Sequence, residues 1–360
     1  MNIALKQKYL SLFFITDLSL RDKSILISSL GGIQNVLEGS MDYFKGDKSK
    51  LELLRNKAKS PAIQRQVDLE ISFCQTNEVR ILCFEEEDYP KRLKICYDPP
   101  ILLFIRTKTE VDWNDKFLSI VGTRRSTFYG ELACRELLDA AAVFRPIIVS
   151  GFARGIDLCA HKSSLDFGLK TVAVVASDIT APYPKQNHKY IDQILQHGAF
   201  LSESSYRTSL KKFHFVQRNR LIAALSPATV VIESASSGGS LITANLALSY
   251  GRLVYAVPGR LGDQYSRGCL DLIRKNQAQL YRDIEQISQD LFWPNPEEKE
   301  RILSDDLMEV LSCFKLHSPI YLQDILQKTQ SSVTKIQGQL TALEIRGLIC
   351  SNGQGGYNLK

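Results

Sequence analysis

The chain has 360 residues, of which 44% are hydrophobic and 23% charged, and it carries a net charge of +6. That is ordinary globular composition, long enough for about two or three domains. No stretch approaches the roughly 18 apolar residues of a membrane span, and the mild basicity permits a polyanionic partner without requiring one.

The eight cysteines, at 74, 83, 96, 134, 159, 269, 313 and 350, form no C-x-x-C pair. Their spacing argues against a zinc site of the usual kind and against a disulfide framework. Buried free thiols in a reducing compartment are the better reading. The apolar run Leu10–Ile15 is short, is followed by Asp17 and has no small-residue cleavage pattern. It is not read as a signal peptide, and the expected location is the cytoplasm.

Residues 1 to about 80 are helical in pattern. "LSLRDKSILISSLGGIQNVLEGS" (18–40) splits into two amphipathic pieces at Gly31-Gly32, and a further helix starts near Pro61. From 81 to 290 short β-rich runs alternate with helical ones. The runs are "RILCF", "FLSIVG", "RPIIVSG", "KTVAVVAS", "GAFLSE", "ATVVIES" and "RLVYAVPG". The intervening helices are expected at 131–143, 157–167, 187–197, 214–225 and 240–250. Continuously apolar strands with helical crossovers predict an α/β fold, a Rossmann-like doubly wound parallel sheet covered on both faces. Ligands of such sheets bind at the carboxyl ends of the strands, near the switch in strand order.

"FWPNPEEKER" (292–301) opens a linker placed at 291–302. Beyond it, 303–360 reads as helices near 305–315, 321–327 and 331–346, then a hairpin turning at Asn352-Gly353. Three helices and a hairpin suggest a winged-helix module. Residues 301–360 hold six Lys/Arg and five Asp/Glu, which leaves this part nearly neutral. A DNA-reading winged helix usually needs a basic face, so a protein contact is at least as good a reading.

Four stretches fall at predicted strand ends. In "VGTRRSTFYG" (121–130), Arg124 and Arg125 offer planar forks suited to phosphate; the alternative is surface charge. In "VSGFARGID" (149–157), Ser150, Gly151 and Gly155 keep the backbone close to whatever lies above, in a turn where exposed amides can hold a phosphate. Asp157 either caps the following helix or restrains a neighbouring arginine. His161 reads as a structural residue rather than a base. In "APYPKQNHKY" (181–190), Lys185 and Asn187 follow two stiffening prolines.

The fourth stretch, 205–248, interleaves Arg207, Lys211, Lys212, Arg218 and Arg220 with aromatic residues. Basic groups of this kind track a phosphate backbone, and flat rings accept unstacked bases. Phe213 and Phe215 are expected in the core; Arg218, Asn219 and Arg220 are expected at the site. Gly238, Gly239, Ser240 and Thr243 open a helix and form a second anion cradle. Glu233 ends the preceding strand, placed to meet a base or sugar, to lock Arg218, or to act as an acid or base. Residues 121–260 hold sixteen Lys/Arg against nine Asp/Glu. This net +7 exceeds that of the whole chain and favours an extended anion there.

Together "SIVGTRRSTFYG", "VSGFARGIDLCAHKSSL", "YPKQN", "LSES", "FVQRNRLIAALSPATVVIESASSGGSLITANLAL" and "GRLVYAVPG" resemble the DprA/Smf family of DNA-processing proteins. They cover about 119–259 in order. "GCLDLIRKNQAQL" is similar to the family's next segment, with Gln277-Ala278 where the family usually reads Gly-Ala. The resemblance implies a SAM-like helical domain at 1–80, a Rossmann-like DNA-binding domain at 81–290 and a winged helix at 303–360. It implies single-stranded DNA held in a positive pocket at the carboxyl edge of the sheet. It also implies action as a homodimer, RecA loading during natural transformation, and help in displacing single-strand-binding protein. By the same resemblance Arg124 is a main phosphate ligand and Lys185 and Asn187 flank it. Gly151, Gly155 and 238–240 are backbone cradles, and Arg218 and Arg220 lie at or under the pocket. No cofactor, metal or catalytic residue is implied. The rival readings are a Rossmann-like phosphoribohydrolase and a small-nucleotide sensor. The first needs a Glu after the second glycine turn, where Ala244, Asn245 and Leu246 stand; Glu233 or Glu203 would have to replace it.

Overall fold

The computed structural model describes residues 3–40, 46–294, 305–314, 319–345, 347–353 and 355–359. The chain divides into two compact units, 1–291 and 292–360.

The first unit opens with helices α1 (Ile3–Phe14), α2 (Leu20–Ser29), α3 (Ile33–Glu38), α4 (Lys48–Ala58) and α5 (Pro61–Thr76). Each start has a local cause. Ser19 accepts from the amide of Asp22, Asp47 from those of Ser49 and Lys50, and Ser60 precedes Pro61 at the first helical position. Gly31 and Gly32 separate α2 from α3. Two strands follow, β1 (Val79–Cys83) and β2 (Leu102–Thr107), with the short helix α6 (Lys91–Lys94) between them.

The rest of the unit alternates. It runs β3 (Phe117–Val121), α7 (Phe128–Ala141), β4 (Ile147–Ser150), α8 (Ile156–Asp166), β5 (Thr171–Val174), α9 (Ile191–His197) and β6 (Gly198–Ser202). It continues with α10 (Lys212–Leu225), β7 (Ala228–Val231), α11 (Gly239–Ser249), β8 (Leu253–Ala256), α12 (Arg267–Arg274), β9 (Gln279–Leu280) and α13 (Ile284–Asp290). Among the described residues these strands form one sheet in the order β1-β2-β6-β5-β4-β3-β7-β8-β9.

The seven strands from β6 to β9 are parallel, as the apolar runs predict, and every residue of β3, β4, β5 and β7 is buried. The wholly parallel expectation fails at one edge. β2, a strand absent from the expected set, pairs antiparallel with both β6 and β1. One core runs from Tyr9 through the sheet to Leu272, so the N-terminal helices and the sheet bury their apolar faces against each other. Glu70 of α5 reinforces that contact by accepting from the Ser205 hydroxyl, while Phe73 stacks on Tyr206 at 3.8 Å.

Strand order reverses between β3 and β7, because the chain leaves β3 for β4, β5 and β6 on one side and returns to β7 on the other. The carboxyl ends of β3, β4 and β7 therefore open around one crevice.

The second unit contains α14 (Asp305–Ser312), β10 (Ile320–Tyr321), α15 (Leu322–Thr329), α16 (Val333–Ile345), β11 (Ile349–Ser351) and β12 (Gly356–Leu359). β12 lies between β10 and β11, antiparallel to each. Ile325, Ile336, Leu340 and Leu343 build its separate core.

Candidate nucleic-acid interface

The crevice holds two adjoining clefts, of about 430 and 240 Å³, that share Arg124, Ala153, Phe215 and Arg218. The larger lies between the turn after β3 and the start of α11, with Lys212, Val216 and Asn219 of α10 along it. The smaller adds Arg125, Arg154, Tyr183 and Pro184. Their walls carry five cationic side chains, Arg124, Arg125, Arg154, Lys212 and Arg218, and one carboxylate, Asp157. The two loops rich in arginine and the basic start of α10 thus converge, although nearly ninety residues separate Arg124 from Lys212 in the chain.

Phe215 forms the partition. Arg124 sits over its ring at 5.3 Å, and Tyr183 meets its edge at 5.8 Å. The expectation that Phe213 and Phe215 are core residues is corrected: Phe213 is 51% exposed and Phe215 is half-buried on the cleft wall. Both occupy the first turn of α10, where the helix leaves the sheet, whereas the buried run Leu221–Leu225 covers the sheet itself.

The floor is built from the 149–157 turn. Gly155 has φ +74°, and a Cβ there would lie 2.3 Å from the Thr123 carbonyl oxygen, so the turn presses on the β3 loop. A Cβ on Gly151 would strike the Asp157 carboxylate at 2.3 Å and the Arg218 guanidinium at 2.5 Å. Gly151 makes room for that buried pair rather than for a ligand. Arg218 is 6% exposed; it donates to the Val174 carbonyl, and its Nε has no partner. Burial pushes the Asp157 carboxyl up, opposed by the neighbouring Arg218 guanidinium. One face of the arginine is braced, and its charge lines both clefts.

The second cradle is the α11 N-terminus. Gly238 and Gly239 bring its first turn to the larger cleft, where the helix dipole favours an anion, although the Gly238 amide is already bonded to the Ala235 carbonyl at 2.9 Å. Ser240 and Thr243 line the same cleft but are buried, and the Ser240 hydroxyl donates to Ser234 Oγ.

Several expected residues are placed elsewhere. Ser150 is fully buried and donates to the Ile120 carbonyl at 2.7 Å. Asn187 is buried, its amide donating to the Phe152 carbonyl at 2.9 Å, and so it ties the proline loop to the floor. Lys185 is exposed but lines neither cleft. Arg220 also lines neither; it pairs with Glu203 and donates to the Asp98 carbonyl. Residues two apart on a helix face different ways, so Arg218 and Arg220 cannot serve one pocket. Glu233 does not meet Arg218. It accepts from the Thr127 amide at 3.0 Å and from the Thr127 hydroxyl, holding the start of α7. His161 is structural, as expected, between the Gly151 carbonyl at 2.5 Å and the Thr171 hydroxyl at 2.7 Å. Arg154, Tyr183, Val216 and Ile242 line the clefts without having been singled out; exposed apolar or basic residues next to the motifs were the available signal.

Residues 80–292 match the model of the DNA recombination-mediator protein A family. The chain belongs to this family. The DNA processing protein DprA of Bacillus subtilis is 35% identical over 219 residues, 61% of this chain and 72% of the relative. The structure of the Streptococcus pneumoniae DNA processing protein A superposes with a TM-score of 0.62 at 27% identity, covering 79% of this chain and 95% of that one. A Helicobacter pylori family member, described for its single-stranded DNA binding mode, superposes with a TM-score of 0.53 at 31% identity, covering 60% of this chain and 96% of that one. Membership of this recombination-mediator family accounts for the motif set at the strand ends, which surrounds the crevice.

Proposed function

We propose that the chain binds single-stranded DNA across the two clefts. The observation that carries this reading is the pairing of cationic walls with a ring partition. Arg124, Arg125, Arg154 and Lys212 supply charge on both sides of Phe215 and Tyr183. Phosphates pair with the arginines and the α11 amides, and an unstacked base lies against Phe215. A duplex keeps its bases stacked and offers no free face to the partition.

Family membership supports the wider reading. The chain acts as a homodimer in the cytoplasm, loads RecA onto single strands during DNA processing and natural transformation, and works where single-strand-binding protein is displaced. The second unit is read as a winged-helix module and residues 1–80 as a SAM-like domain. The role is non-catalytic: Glu233 holds Thr127 and Glu203 holds Arg220, so neither acid is free for the hydrolase chemistry of the rival reading.

The test is fluorescence anisotropy with a labelled dT strand, its duplex and a mononucleotide across a salt series. The single strand is expected to bind best, with each phosphate contact contributing about −0.7 to the log–log salt slope. Arg124→Ala is expected to weaken strand binding by at least about tenfold, the loss of a charged hydrogen-bonding partner. Tight mononucleotide binding with a flat salt response overturns the reading in favour of a nucleotide sensor or hydrolase.

A further inference from the structure

A further cavity, of about 340 Å³, lies between α7 and α8, and none of its lining residues lines the two clefts. Cys159 of α8 stands half-buried on its wall, beside Leu158, Lys162 and Ser163. Cys134 of α7 is fully buried.

Two observations bring these sulfur atoms together. Cys159 Sγ lies 3.7 Å from the Glu131 carbonyl oxygen. Glu131 is one turn before Cys134 on α7, and a helical Cβ tilts towards the N-terminus, so the Cys134 side chain sits over that same carbonyl. The two thiols are also hydrogen-bonded to each other. Sulfur atoms in such contact need to close by only about 2 Å to reach the S–S bond length of about 2.05 Å.

The pair divides its roles. As a thiol, Cys159 can donate to the Glu131 carbonyl; as a thiolate, it accepts from Cys134 and from Ser163 Oγ, 4.0 Å away. The Cys134 hydrogen bond holds Cys159 below the ordinary thiol range, helped by Ser163 and Lys162 and opposed by burial and the Glu131 carboxylate. That hydrogen bond and burial push Cys134 well above the range, so it keeps its proton. Other thiols of the chain differ: burial pushes Cys74 and Cys269 up to about 12 and raises Cys83 and Cys96 as well. Cys159 therefore joins thiolate character to an opening on solvent, the combination that makes a cysteine oxidisable.

We propose that Cys159 is a site of reversible oxidation by hydroperoxides and that Cys134 resolves it to a disulfide joining α7 to α8. The Cys159 thiolate attacks one peroxide oxygen; the S–O bond forms, the O–O bond breaks and hydroxide leaves. Sulfur is oxidised by two electrons and the peroxide is reduced. The Cys134 sulfur then attacks the Cys159 sulfenic acid; the S–S bond forms, the S–O bond breaks, and the departing hydroxide takes the Cys134 proton to leave as water. The first step prepares the second. The Cys159 thiolate raises the Cys134 pKa through its hydrogen bond and its charge, and a neutral sulfenic acid relieves both. A dithiol reductant reverses the link.

The test treats the reduced full chain with hydrogen peroxide, caps the remaining thiols with iodoacetamide and maps tryptic peptides by mass spectrometry without reduction. The expected product joins residues 126–135, which hold Cys134, to residues 155–162, which hold Cys159, and dithiothreitol separates them. Cys159 is expected to be oxidised at least about tenfold faster than the half-buried Cys96. In Cys134→Ser the sulfenic acid has no resolving partner, and dimedone should label 155–162. Cys159→Ser should leave Cys134 reduced. A wild-type map in which Cys159 stays reduced, or is oxidised without the link to Cys134, overturns the proposal and needs no variant to fold. Oxidation of Cys159 no faster than Cys96, oxidation of Cys134 in Cys159→Ser, or no dimedone adduct in Cys134→Ser also overturns it.

Discussion

His161 makes the stability of the cleft floor depend on pH. A carbonyl can only accept, so Nε2 carries the proton donated to Gly151, while Nδ1 lies 2.7 Å from the Thr171 hydroxyl, whose single proton also reaches the Ile148 carbonyl at 3.0 Å. Full burial favours the neutral ring. Burial, with the Arg218 guanidinium adding to it, lowers the His161 pKa from 6.5 to about 4. A depressed folded value gives a stabilisation that is complete above 6.5 and is lost as pH falls through 6.5 towards 4, because the unfolded chain takes up the proton first. The difference is about 2.5 pK units, or about 3 kcal/mol at 1.36 kcal/mol per unit. The assay is urea unfolding from pH 7.5 to 4 in a Trp293→Phe background, read by the fluorescence of the buried Trp113. His161→Gln is compared at each pH. The wild type should lose about 3 kcal/mol more than the variant across this window. Parallel curves, with a constant offset between wild type and variant, would refute the buried neutral histidine.

Three further outcomes follow from the crevice. Phe215→Leu should reduce single-strand affinity by about 1–3 kcal/mol, the worth of one stacked base, in the same anisotropy assay, with the thermal midpoint little changed because the ring is half-exposed. Arg220→Met should destabilise the chain by up to about 3–5 kcal/mol in urea, since it strands the Glu203 carboxylate, whose side chain is only 10% exposed, and the fraction that remains folded should bind DNA normally. Gly155→Ala should cost at least about 1 kcal/mol in the same unfolding measurement, because a left-handed φ and a 2.3 Å approach to Thr123 oppose any Cβ, and it should also weaken strand binding by shifting Arg124.

The apolar runs were enough to place β3 to β8, because strands buried on both faces leave no alternating signal to misread. They missed β2, whose antiparallel partners are set by tertiary packing at the sheet edge. The glycine-rich turns and Arg124 were also legible, since glycine at 155 answers to a backbone angle and an adjoining arginine pair announces an anion. Helix starts were less so: α7 begins at Phe128 rather than 131, where Thr127 caps it.

What the sequence by itself determined is local: which segments are strand or helix, where the backbone turns tightly, and that positive charge concentrates at 121–260. Only the tertiary structure decided which of those charges face one another. It turned Arg218 into the clefts and Arg220 away from them, pulled Ser150 and Asn187 under the floor, and brought Phe215 out to the wall. The physical reason is that a side chain's partners are set by helix phase and by strand order.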